Sequence, residues 1–356
     1  MTQKSEGIAV ADRRRGSTRR ADRGFRILAL LTTLATYLLI VLGGTVRVTG
    51  SGLACPDWPT CHGRLVPTLD QHVLIEYSHR LSASLVSVLV IALLIMALWV
   101  WRQPRYLQRL CAIAVGLLIL QVILGAVTVR ADLPPQIVTA HLATATALLG
   151  VLAAISVYSV TGRGGSLDPV ARRFARAAMM AAGGTFLLIL TGSYVVGSNA
   201  GLACHTWPLC NGQILPTGGH SSVDVNFFHR VFAILIGLGI AAVALRGWKT
   251  RRNRPLLLWT ATAALAIYLA QIFVGAGNVW FGLTAPIRIA HLATAQALWL
   301  LTAALSVLAA TSDRQIEADT RPVRERRPLP LPSADHRPRF GDRTMKENSS
   351  TRRGRR

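Results

Sequence analysis

The chain is poor in charge, and poorer still in acidic charge. Only 15% of its 356 residues are Asp, Glu, Lys or Arg, and 16 Asp and Glu stand against 39 Lys and Arg, a formal charge of +23. What is missing with the charge is a polar, solvated surface, since 51% of residues are hydrophobic and the mean hydropathy is +0.41. A charge of +23 alone would suggest nucleic acid. A nucleic-acid module needs the polar surface this chain lacks, so nucleic acid is excluded as a partner and the charge must be segregated from the apolar mass. No flavin or nicotinamide motif occurs either, which excludes those redox carriers as built-in parts.

What is there instead is a series of long uncharged segments. Runs of about 20 mostly apolar residues are the signature of spanning helices. The gaps between charges place eight of them near 27–47, 77–101, 109–130, 137–160, 177–197, 225–246, 255–279 and 287–310. The first is longer than a typical signal-peptide core and is followed by no clear cleavage site, so it is read as a retained span. The expectation is an all-α integral membrane protein in contact with the lipid bilayer.

Positive charge sets the orientation. Of the 39 Lys and Arg, 33 fall in the two tails and in the turns 102–109, 163–176 and 246–254, and six on the opposite side. Lys and Arg accumulate on the cytoplasmic side, which puts both termini there and the long loops 48–76 and 198–224 on the outer face of the cell membrane. Tails 1–26 and 312–356 carry few large apolar residues and read as disordered basic segments.

An internal repeat organises the rest. Residues 52–68, GLACPDWPTCHGRLVPT, align with 201–217, GLACHTWPLCNGQILPT, at an offset of 149 with ten identities. Residues 121–148 align with 271–298 at an offset of 150 with fourteen identities, both containing AHLATA. Four helices per repeat keep both halves in the same orientation, a parallel repeat. The domains expected are two pseudosymmetric four-helix bundles, 27–162 and 177–311, joined by a cytoplasmic linker, 163–176.

Three features recur in both halves. The first is a cysteine pair, Cys55 with Cys61 and Cys204 with Cys210, each enclosing a Trp-Pro step, Trp58-Pro59 and Trp207-Pro208. Thiols outside the cytoplasm are usually oxidised, so two local disulfides are the natural reading. They could be staples, redox-active dithiols or, if the loops meet, four zinc ligands. The fifth cysteine, Cys111, lies within a span and reads as packing.

The other two features are histidines. His79 and His229 are each followed by Arg, and His141 and His291 each open HLATA, whereas His62, His72, His205, His220 and His336 have no recurring helical context. Ionisable side chains within spans are costly and are functional candidates by default. Two such histidines at similar depth in one bundle suit axial ligation of a heme iron. Small residues after each second histidine, Ala143 to Ala145 and Ala293 to Ala295, would admit a flat macrocycle. Copper or zinc could use the same imidazoles, but neither half offers a third recurring ligand. Arg80 and Arg230 could pair with heme propionates.

The combination GLACPDWPTC, EYSHR and AHLATA in the first half, with GLACHTWPLC, NFFHR and AHLATA in the second, resembles the heme A synthase family, the COX15/CtaA-type membrane enzymes. The resemblance covers about 27–310. It implies an oxidoreductase acting on a CH group, which converts heme O to heme A by oxidising the porphyrin C8 methyl to a formyl group through successive water-derived hydroxylations. The product serves aa3-type terminal oxidases.

One difference between the halves bears on mechanism. At an offset of 150 Glu76 aligns with Asn226, so a carboxylate precedes His79 but not His229. Residues three apart share a helix face, and Glu76 matches the family's essential acid. The N-terminal bundle is therefore expected to be catalytic, with heme O between His79 and His141, and the C-terminal bundle to hold heme b between His229 and His291. Removing four electrons requires an acceptor, which the sequence does not identify. A heme O synthase and an extracytoplasmic thiol oxidoreductase are the partners expected, and a homo-oligomer is compatible. Two rivals are a diheme b-type cytochrome that only carries electrons and a thiol–quinone oxidoreductase. The first gives no reason for the lone carboxylate, and the second leaves the histidines idle.

Overall fold

The computed structural model describes residues 2–57, 60–64, 69–100, 102–162, 167–216 and 221–311, with side chains from residue 22 onward. Its elements are all helical: α1 (Thr2–Val48), α2 (Gln71–Ile95, continued by a π-helical turn, Met96–Val100), α3 (Arg105–Arg130), α4 (Pro135–Thr161), α5 (Pro169–Gly197), α6 (Ser221–Thr250), α7 (Pro255–Trp280) and α8 (Ala285–Ala310). Each contains a segment long and apolar enough to cross a membrane, 26 to 30 residues in length. Among the described residues the only β pairing is two isolated bridges, Cys61 with Arg64 and Cys210 with Gln213.

All the helices but α7 begin earlier than charge gaps suggest, because their starts are set by capping chemistry. Asp70 caps α2, its carboxylate accepting the N–H groups of His72 and Val73, and Asp168 caps α5 through the N–H of Ala171. Pro135, Pro169 and Pro255 each occupy the first helical position, where a missing N–H costs nothing. Two expectations are corrected by these starts. Residues 169–176 of the expected linker are the first turns of α5. Residues 2–26, expected as a disordered tail, continue α1 as helix; the run holds no proline, and its seven Arg and three Ala are good helix formers. Tail 312–356 lies outside the described residues.

Helices α1–α4 contact one another in a closed ring, and α5–α8 do the same. Outward faces are apolar: Leu30, Leu34 and Leu38, one turn apart on α1, are each more than half exposed, and Leu81 and Leu85 of α2 match them. Such faces are sustained by lipid, and the chain is a multi-pass membrane protein. Inward, Phe25, Val90, Leu93, Leu107, Leu152 and Ile155 pack in the first ring, and Phe174, Ile240, Leu257, Tyr268, Leu298 and Leu305 in the second. Both clusters lie toward the helix ends away from the cysteine loops, and the histidines lie toward the loop ends.

Candidate heme sites beneath two disulfide loops

His79 and His229 are each the ninth residue of their helix, and His141 and His291 each the seventh. At 1.5 Å per residue this sets them about 12 and 9 Å below the helix starts, so each half holds two imidazoles at similar depth. Within each half the two are within electrostatic reach, His79 of His141 and His229 of His291. All four are half-buried.

Each ring rests on a glycine of the neighbouring helix. A Cβ on Gly43 would stand 3.0 Å from Cε1 of His79, one on Gly125 3.3 Å from that of His141, and those on Gly192 and Gly275 each 3.2 Å from those of His229 and His291. Gly43 and Gly192 are 149 residues apart and Gly125 and Gly275 are 150 apart. Their recurrence was the available signal, which inspection for ionisable groups passes over. Gln121 and Gln271 recur likewise, each donating its side-chain N–H to the backbone carbonyl of the facing histidine, His141 or His291, at 3.0 Å.

The donor set in each half is a pair. Among the described residues no group of three or more His, Cys, Asp or Glu converges, so zinc or copper would lack ligands while a porphyrin iron, which needs two axial ones, would not. In the N-terminal half Nδ1 of both His79 and His141 is buried without a hydrogen-bond partner. Buried polar atoms are normally paired, and these two nitrogens lack the bond that would orient their rings.

Above each pair sits a loop closed by a disulfide, Cys55 to Cys61 and Cys204 to Cys210. The two pairs close separately within their own loops, which leaves the four thiols no common zinc site. Both loops turn through left-handed residues just after the second cysteine, His62 and Gly63 in one, Asn211 and Gly212 in the other. In the first loop Asp57 ties the turn, accepting from the Thr60 hydroxyl and from the N–H groups of His62 and Gly63. Thr60 above all, then Gly63, hold the Asp57 carboxyl well below the usual range. In the second loop Thr206, 149 positions after Asp57, accepts the N–H of Gly212 at 3.1 Å, while Asn211 accepts from His205 N–H at 2.7 Å and donates to the Ala203 carbonyl at 3.1 Å. Trp207 stacks edge-on against Trp280 of α7 at 5.5 Å; Trp58, Pro59, His220 and His336 lie outside the described residues.

Arg80 and Arg230 bind these loops. Arg80 donates through Nη1 to the carbonyls of Asp57 and Thr60 at 2.6 and 2.7 Å, and through Nη2 to the carbonyl of Cys55 at 2.7 Å. Arg230 reaches the carbonyls of Thr206 and Cys204 at 2.7 and 2.9 Å. Both Nη groups of each guanidinium thus meet backbone oxygens of the loop, partners that recurrence in sequence does not distinguish from the propionates expected of a heme.

Glu76 is only 3% exposed. Oε1 accepts from Arg80 Nη2 at 2.6 Å, and Oε2 accepts the N–H of Cys55 at 2.8 Å. At the corresponding place Asn226 donates to the carbonyls of Ala200 and Gly201 and accepts from Arg230 Nε at 2.9 Å. Both residues anchor a loop to a helix, but only Glu76 brings charge. It is also the sole glutamate between residues 27 and 311.

The family model for the cytochrome oxidase assembly protein COX15–CtaA matches residues 26–303. The chain belongs to this family. Curated relatives named heme A synthase include those of Alkalihalophilus pseudofirmus, 30% identical over 72% of this chain and 87% of its own length, and of Shouchella clausii, 32% identical over the same shares. That of Geobacillus kaustophilus is 31% identical over 76% of this chain and 86% of its own. The stretch the COX15–CtaA model matches holds all four histidines, all four loop cysteines and Glu76, and ends where the long C-terminal tail approaches.

Proposed function

We propose that this COX15–CtaA family member is a heme A synthase that oxidises the C8 methyl of heme O to a formyl group with oxygen drawn from water. The relatives' names supply the product. The observation that carries the division of labour is the difference between Glu76 and Asn226 at one position of two sites with the same histidine pair.

Heme O is the substrate of the N-terminal half, held through its iron by His79 and His141. Heme b would be held by His229 and His291 and would supply one-electron redox chemistry next to the substrate site. Glu76, three residues from His79 on the same helix face, places a negative charge beside the substrate. As electrons leave the methyl carbon positive charge develops there, and a fixed carboxylate stabilises it without reorganising. Both carboxylate oxygens are engaged, one by a guanidinium and one by an amide N–H, so the side chain is held in a single orientation. The disulfide loops lie on the outer face and both termini in the cytoplasm, by the basic turns and tails. A heme O synthase would deliver the substrate, an extracytoplasmic thiol oxidoreductase would maintain the loop cysteines, and a separate acceptor would take the four electrons.

The test is to express the protein in cells that make heme O and to extract the bound heme. Wild type should yield heme A, and Glu76→Gln should yield heme O or a hydroxylated intermediate with heme A reduced at least a hundredfold. Normal heme A from Glu76→Gln would reject the catalytic assignment. Absence of heme A from wild type supplied with heme O would favour a diheme cytochrome.

A further inference from the structure

The two histidine pairs are alike in position but not in support. In the C-terminal half Nδ1 of His229 lies 2.8 Å from Oγ1 of Thr191, one residue before the glycine on which the ring rests. That hydroxyl has one proton, and it is directed to the carbonyl of Leu188 at 2.8 Å. With that proton so used the oxygen is an acceptor, and both contacts are satisfied together when Nδ1 of His229 carries the hydrogen. A neutral imidazole protonated on Nδ1 has its lone pair on Nε2, the form that ligates a metal. Thr191 thus fixes both the tautomer and the rotation of His229 before any ligand arrives.

The N-terminal half has no such device. The residue 149 positions earlier is Leu42, which precedes Gly43 as Thr191 precedes Gly192. Leucine offers no hydrogen-bonding group, and Nδ1 of His79 is buried without a partner. A second contrast points the same way. Gln271 and Gln121 both hold a histidine carbonyl, but Oε1 of Gln271 also lies against the Thr294 hydroxyl while Oε1 of Gln121 has no partner.

Resting on the proposal that His229 and His291 hold heme b, we propose that Thr191 is the positioning residue that makes the C-terminal site retain its heme, and that Leu42 in the same place keeps the N-terminal site exchangeable. The physical reason is general: a metal-bound histidine whose other nitrogen donates a hydrogen bond is oriented and made a stronger donor. A site that must release its product is better served without that bond. A cofactor site is better served with it.

The test uses the full-length protein in detergent and two readouts independent of turnover, transfer of heme to apomyoglobin and the midpoint potential of the C-terminal heme. Thr191→Val should speed heme transfer from the C-terminal site at least tenfold, as removal of such supporting bonds generally weakens metal sites by 10- to 100-fold. It should also raise the potential, because a weaker donor favours the ferrous state. Thr191→Ser, which keeps the hydroxyl, should behave as wild type and separates this role from packing. Leu42→Thr should slow transfer from the N-terminal site. Wild-type transfer and potential in Thr191→Val, or failure of Thr191→Ser to restore them, would overturn the proposal. His229→Ala tests the underlying reading separately: if it keeps its full heme b content, the site assignment fails, whereas loss of heme in His229→Ala with no change in Thr191→Val rejects only the role of Thr191.

Discussion

Arg80 shows how much one side chain in this protein decides. Its guanidinium joins a buried carboxylate to three carbonyls of the disulfide loop, so Glu76, Cys55, Asp57 and Thr60 are held as one unit. With side chains 14% and 4% exposed, the Arg80–Glu76 pair behaves as a buried pair rather than a surface one. Removing one partner of such a pair leaves an uncompensated charge and costs about 3–5 kcal/mol. Arg80→Ala should therefore lower the thermal midpoint in detergent by several degrees and abolish heme A formation. Adding Glu76→Gln to it should recover part of the stability, because the orphaned charge is gone, while activity stays lost. If the two changes are additive in stability, the pair is not coupled as described. Arg80→Lys should be intermediate, since one ammonium cannot reproduce a planar fork across four oxygens. Arg230→Ala should loosen the second loop yet leave heme A formation within a fewfold of wild type, because no carboxylate depends on it.

The helices bring these side chains to bear through places where a side chain is missing. Gly43 on α1, Gly125 on α3, Gly192 on α5 and Gly275 on α7 each take the edge of an imidazole from the next helix, so helix separation and ring orientation are set together. A similar fit holds the turns in place. Leu133 and Leu283, at φ of 60° and 58°, tuck against Gly52 and Gly201 at the start of the disulfide loops. A leucine in this region is uncommon, and both halves adopt it where the turn must fold back on its loop. Gly192→Val should push His229 off its axis and reduce the heme b proposed for the C-terminal half by more than half, read from the absorbance of the purified protein. Gly43→Val should do the same for the heme proposed in the N-terminal half and leave that proposed in the C-terminal half in place. Loss of both hemes from either variant would mean general misfolding rather than local displacement. The spans, the repeat, the cysteine pairs and the four histidines were legible in the sequence because each leaves a one-dimensional trace, a gap in charge or a residue recurring at 149 or 150. The direction of Arg80 and Arg230 was not, because recurrence says that a side chain matters and not which oxygen it meets. The bond from His229 to Thr191 was hidden for the opposite reason: it occurs in one half only, so recurrence erases it.

The way the two halves meet was hidden too, and it decides what kind of assembly this molecule is. Helices α4 and α8 form the centre of the seam, with α1 against α8 and α4 against α5 beside it. Thr146 and Gln296, equivalent residues 150 apart, hydrogen-bond each other across it at 3.1 Å, and the Trp299 indole N–H donates to the carbonyl of Thr146 at 2.7 Å. Tyr37 of α1 reaches the carbonyl of Ala293, and Thr139 meets Ser193. Because lipid is as apolar as the helices, burial alone does not drive them together, and close packing at small residues must. The seam supplies it: Leu292 and Trp299 of α8 lie where a Cβ on Gly44 or Gly150 would come within 2.2 and 2.6 Å of them. A seam of this kind should hold without the covalent linker. Co-expressed fragments 1–164 and 165–356 should co-purify through a tag on either one, with heme content near that of the intact chain. Gly150→Leu in the first fragment should reduce recovery of the second at least fivefold, because Trp299 cannot withdraw without giving up its bond to Thr146. The same substitution should leave heme binding by the isolated first fragment unchanged, since Gly150 faces away from His79 and His141 toward α8. If Gly150→Leu fragments still co-purify at wild-type yield, the seam is held by its other contacts and the close approach of α8 to α4 is dispensable.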